Sequence, residues 1–218
     1  MNKRVWLWAT PILFVSVLFY LPLVKIIGLG LSANWYEIYF EPATLKAIWF
    51  TLWQAAVSTA IALLIGVPGA YILYRKHFFG QRIIRALITV PLVLPTIVVA
   101  IAFQGLGNQL SPLIAILLAH LFLNYSIVVR TVGGVWAKLD LEIENAAELD
   151  GAGKWQTFRF ITFPMLRGAT TSAAVLVFLY CVTSFGIILL LGAGNVSSIE
   201  TEIYFSLTQF LDFKTASA

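Results

Sequence analysis

Residues 47–74 read AIWFTLWQAAVSTAIALLIGVPGAYILY, a run with no charged side chain anywhere in it. About 20 mostly apolar residues in a helix cross the hydrocarbon of a bilayer, and this run exceeds that length. Four further stretches meet or approach the same length: 5–27, 84–105, 112–132 and 170–191. A membrane β-barrel would instead show ten-residue segments of alternating polarity, and these runs do not alternate. The predicted fold is all-α, a polytopic transmembrane helical bundle with about five spans. A sixth span is expected to be missing or truncated, because only the weakly apolar stretch 203–213 follows the fifth.

Composition supports the same solvent. The 218 residues are 60% hydrophobic and 11% charged, with a mean hydropathy of +0.91. A soluble domain covers itself with roughly a quarter to a third charged residues, and there are too few here to do so. The net charge of +4 is distributed as a topology signal and not as a nucleic-acid footprint. Lys3, Arg4, Arg75, Lys76, Arg82, Arg85, Lys138, Lys154, Arg159 and Arg167 fall on one side of the spans, while Lys25, Lys46 and Lys214 fall on the other. The N-terminus is therefore expected in the cytoplasm. The first stretch runs past Pro22 without a small-residue cleavage site and reads as a retained span.

Little in the spans can do chemistry. Cys181 is the single cysteine, so neither a disulfide nor a thiolate metal site can form within the chain. Two histidines and no intramembrane carboxylate do not make a metal centre, and no glycine-rich phosphate loop is present, so no cofactor, metal or catalytic set is expected. Ser58, Ala62, Gly66 and Ala70 recur every four residues and put small side chains on one helical face, where another backbone can approach. Pro91 and Pro95 each remove an amide donor from the third span and should bend it. Such a bend serves either a pathway or plain bundle curvature. His120 and Asn124, four apart, share one face of the fourth span, as an interhelical hydrogen-bond pair or as solute contacts. Arg130 lies near a span end, where it can snorkel to the headgroups.

The chain reads as one domain, 1–218, with a cytoplasmic loop, 138–168, inside it. Asp140, Glu142 and Glu144 suit a helix N-terminus, and Gly151 suits its stop. A second amphipathic turn carries Trp155, Phe158 and Ile161 toward Pro164 before the fifth span. A link between two spans needs only a few polar residues, so this compact, non-spanning protrusion is expected to offer a surface to another protein.

Asn145-Ala146-Ala147, Gly151, Ile161 and Pro164 keep the spacing of the EAA motif, and the chain resembles permease subunits of binding-protein-dependent ABC importers. Asn145 stands where the family usually has glutamate, with Glu144 adjacent, and Phe163 replaces the common leucine. Arg75, Pro91, Pro95, His120, Asn124 and Ser184-Phe185-Gly186 look like the iron(III) and thiamine branch, whose members are often double-length; this chain is similar to an N-terminal half. The resemblance implies a transport subunit of the plasma (inner) membrane and no enzyme. It implies ATPase coupling through Glu144, Asn145, Ala146, Ala147, Gly151, Ile161 and Pro164, and a pathway or helix-packing role for Pro91, Pro95, His120, Asn124 and Ser184. The implied partners are cytoplasmic ABC ATPase subunits, an extracytoplasmic solute-binding protein, a second permease half and the lipid bilayer, with no nucleic acid. The competing class, an ion-gradient-driven secondary transporter, calls for carboxylates at membrane depth, whereas all ten acids sit in loops or tails.

Overall fold

In the computed structural model, residues 3–106 and 110–218 are described, with side chains from Trp8 onward except Ala9. The side chains of Lys3 and Arg4, two of the topology signals, lie outside the described set. All regular structure among the described residues is helical.

Two compact units emerge. The first comprises Met1–Trp49 and Ser197–Ala218, the second Phe50–Val196. In the first unit, α1 (Lys3–Val15) continues through one π turn into α2 (Leu21–Leu31). The segment Thr10–Leu31 is apolar and long enough to cross a membrane, and none of its most apolar window is buried within the chain. Short α3 (Trp35–Phe40) follows, and α4 (Pro42–Arg75) begins with a proline at its first helical position, where the missing amide is no loss.

The 34 residues of α4 make a rod of about 50 Å, longer than the hydrocarbon is thick. Its small-residue face packs as expected: Ser58, Ala62, Gly66 and Ala70 are all buried. A Cβ on Gly66 would come within 2.6 Å of Val128, so this contact between α4 and the fourth span requires glycine.

The third span is broken outright. After Gly80, α5 (Gln81–Leu87) leads through a 3-10 turn (Val90–Val93) to α6 (Thr96–Gly105), and the two arms meet at 101°. The physical cause is local. Leu94, held extended by the ring of Pro95, has φ −74° and ψ 134°, and Pro95 offers no amide to continue the arm before it.

Ser111 caps α7 (Pro112–Trp136), the fourth span. Then come α8 (Leu141–Leu149), α9 (Lys154–Thr157), a π turn (Phe158–Thr162) and α10 (Phe163–Val182). The amphipathic turn around Trp155 to Ile161 is continuous with the fifth span, Lys154–Val182 forming one 29-residue helical run. Here the structure corrects the sequence reading: the fifth span does not run over 170–191 but stops at Thr183 and Ser184, and α11 (Phe185–Leu191) restarts beyond the break.

Two apolar clusters hold the second unit. One joins α4, α7 and α10 through Ala62, Ala70, Val128, Val132, Ala173 and Val177; the other joins α6, α7 and α11 through Val99, Ile116, Ala119, Ile187 and Ile188. In the first unit, α12 (Ile199–Thr208) and α13 (Phe213–Ser217) complete the chain, with Gly30 of α2 lying directly against the backbone of Ser217. The weakly apolar 203–213 is thus split between two short helices.

Candidate functional site

Two places in the second unit gather the residues singled out from sequence. The first is the loop around α8. Asp140 caps it, its carboxylate accepting the Glu142 amide at 2.9 Å, and Glu142 and Glu144 occupy the first turn, where the helix dipole favours negative charge. At the other end Gly151 takes φ +91°, a left-handed conformation that costs glycine nothing, and its amide donates to the Glu148 carbonyl while Ala152 donates to Ala147. The sharp stop leaves Asn145, Ala146, Glu148 and Leu149 exposed, with Ala147 half-buried. Leu149, at the end of the helix, is 88% exposed. Ile161 is half-buried in the π turn and Pro164 is exposed at the start of α10.

Glu144 turns the other way. One carboxylate oxygen lies 2.6 Å from Arg75 Nη2 and the other accepts the Thr162 hydroxyl at 2.8 Å, while Arg75 Nη1 donates to the Leu139 carbonyl at 2.9 Å. Arg75 is 8% and Glu144 21% exposed at the side chain. This knot ties α8 to the end of α4 and to the run that becomes α10. Sequence reading put Glu144 in the first turn of the helix and, by resemblance, among the ATPase-coupling residues, and passed over Thr162, which carries no local pattern.

The second place is a pocket of about 200 Å³ where both broken spans meet α7. Pro91, Leu94 and Thr96 line it from the first break, Thr183, Ser184 and Ile187 from the second, and His120, Leu123 and Asn124 from α7. Of the expected pathway residues, Pro91, His120, Asn124 and Ser184 share it, and Pro95 shapes it as the residue before Thr96. His120 Nδ1 is hydrogen-bonded to Ser58 Oγ at 3.0 Å, and its Nε2 finds no partner among the described residues. Asn124 Nδ2 donates to Cys181 Sγ at 3.4 Å, so both side chains make contacts to neighbouring helices with the pocket beside them. Gln54, one turn before Ser58, was missed. Its Nε2 donates to the Cys181 carbonyl at 2.9 Å, and Ser184 Oγ donates to the same oxygen at 2.8 Å, so the carbonyl freed by the break is satisfied twice. An amide side chain in an otherwise apolar run was the available signal for it. Gly186 sits against Thr96 and Ile97, with room for no side chain without displacement, and brings the two restarted helices together.

Residues 62–210 match the model of the binding-protein-dependent transport system inner membrane component family. The chain belongs to this family. The permease is 30% identical to the sulfate transport system permease protein CysT of Escherichia coli (strain K12), over 96% of its own length and 83% of that protein's. It is 33% identical to the thiamine transport system permease protein ThiP of Brucella abortus (strain 2308), over 88% of its own length; the matched part is 38% of that longer protein. By structure it is similar to a chain of a bacterial ABC transporter involved in import of the acidic polysaccharide alginate, with TM-score 0.78, 16% identity, and coverage of 99% of this chain and 88% of the other. The same fold matches, at TM-score 0.77, that transporter in complex with a periplasmic protein carrying an alginate pentasaccharide. The permease is thus a multi-pass membrane transport subunit.

Proposed function

We propose that this permease is the membrane-spanning subunit of an ATP-driven ABC importer for a small solute, with α8 as its contact to a cytoplasmic ABC ATPase. The carrying observation is α8 itself, nine residues at the motif spacing, ended by Gly151 at φ +91° and exposed along its far side. In this reading ATP-driven motion of the ATPase pulls α8, and the Arg75–Glu144–Thr162 knot hands the displacement to α4 and α10. The pocket at the two helix breaks then belongs to the solute path, since backbone can leave helical form at membrane depth only where it lines a cavity or is covered by protein.

The basic residues on one side support a cytoplasmic N-terminus and a cytoplasmic α8. A second permease half, a copy or a homologue, faces the pocket, and an extracytoplasmic binding protein delivers the solute, as the periplasmic protein does in the alginate complex. The relatives named for sulfate and for thiamine make a small polar solute the best-supported cargo. Among the described residues no three His, Cys, Asp or Glu side chains lie together, so an iron(III) cargo would depend on the binding protein for its ligands.

Two measurements test the docking. Gly151→Val forces a branched side chain into a left-handed backbone, and solute-stimulated ATP hydrolysis of the assembled transporter should fall to the basal rate while membrane insertion is unchanged. Ala147→Cys should crosslink to the ATPase. Solute transport by proteoliposomes holding the permease without any ATPase would overturn the reading.

A further inference from the structure

Beneath α8 lies a cleft of about 500 Å³ unrelated to the solute pocket. Its wall changes character along one helix. Val67, Pro68 and Tyr71 of α4 line it within the apolar run, and Lys76, just past the end of that helix, lines it outside; about 13 Å of rise separates Val67 from Lys76. Opposite them stand Trp136, Trp155 and Phe158, with Lys154 at the loop end. The aromatic rings form a chain, Tyr71 to Trp136 at 5.3 Å, Trp136 to Phe158 at 6.1 Å and Phe158 to Trp155 at 5.7 Å.

Charge marks the upper end. Lys76 and Lys154 have no ion-pair partner among the described residues, and the Lys76 ammonium rests 5.2 Å from the Tyr71 ring centre. Of the two lining acids, Glu144 is neutralised by Arg75, so two lysines face Glu148 alone and the cleft is left with one excess positive charge.

We propose that this cleft holds an anionic glycerophospholipid, its phosphodiester at Lys76 and Lys154 and its acyl chain along Val67, Pro68 and Tyr71. A soluble anion would use the charged end and leave the apolar wall empty; a lipid fills both. The lipid would brace α8 against α4 from the membrane side. The proposal needs only that the chain sits in a bilayer and does not rest on ATPase docking.

The test uses the full chain purified in detergent, with no ATPase present, and native mass spectrometry to count retained phosphatidylglycerol against phosphatidylcholine. Phosphatidylglycerol should be held preferentially. Each lysine near an anionic headgroup contributes about five-fold, so the double variant Lys76→Gln, Lys154→Gln should bind it about 25-fold more weakly, and the Lys→Arg pair should keep it. Equal retention of the two lipids, or wild-type retention by the glutamine pair, overturns the proposal. Displacement of the lipid by millimolar inorganic phosphate would assign the site to a soluble phosphate and overturn the lipid reading as well. Because no ATPase takes part, these outcomes are independent of the Gly151 result.

Discussion

At the scale of single residues, the contact that matters most is Arg75 with Glu144. A guanidinium at 8% side-chain exposure needs its partner, since an unpaired buried charge costs more than the pair contributes. Glu144→Gln should lower the stability of the detergent-solubilised permease by about 1–3 kcal/mol, seen as a fall of several degrees in Tm, while leaving the Ala147→Cys crosslink to an ATPase in place. Arg75→Lys keeps the charge and loses the planar fork that reaches Leu139 and Glu144 at once, and should fall between wild type and Glu144→Gln. Gly66→Val puts a branched side chain where even a Cβ meets Val128 at 2.6 Å, and should cost about 1–3 kcal/mol in the same thermal assay. The small-residue face was readable from its four-residue spacing. The direction of Glu144 was not, because the loop pattern could equally place that carboxylate on either side of α8 until Arg75, Leu139 and Thr162 arrive around it.

Among elements, the two broken spans carry the pocket, and they break for different reasons. Between α5 and α6 the cause is covalent: proline rings at 91 and 95 remove donors and hold Leu94 extended. Between α10 and α11 there is no proline. The Thr183 amide and hydroxyl both still reach the Leu179 carbonyl, whereas Ser184 Oγ takes the Cys181 carbonyl that the next amide would use in a continuing helix. Gln54 completes this second break from α4. Gln54→Leu removes its bond to the Cys181 carbonyl, and should cost about 1–2 kcal/mol of stability while speeding modification of the otherwise buried Cys181 by a membrane-permeant maleimide. An expectation that 170–191 would be one span followed directly from hydropathy, which counts apolar side chains and is blind to a serine hydroxyl that satisfies a backbone carbonyl.

For the molecule as a whole, the decisive question is which way α8 faces. Leu149→Cys in a Cys181→Ser background should react with a membrane-impermeant maleimide in inside-out vesicles and not in right-side-out ones; the reverse pattern would invert the topology and remove the ATPase-docking role. Class and family were legible early, since a charge-poor chain of this length has only the bilayer as a solvent and the loop spacing from Asn145 to Pro164 survives without any coordinates. The same holds for the bend at Pro95 and the cap at Gly151, where one residue's covalent geometry sets the backbone. What the tertiary structure alone decided is convergence: that Glu144 points inward to Arg75, that two helix breaks remote in sequence open onto His120 and Asn124, and that Lys76, Trp136 and Lys154 border one cleft. Spacing along a helix specifies which residues share a face, but which faces meet is a property of packing among α4, α7 and α10, fixed by contacts between residues far apart in the chain.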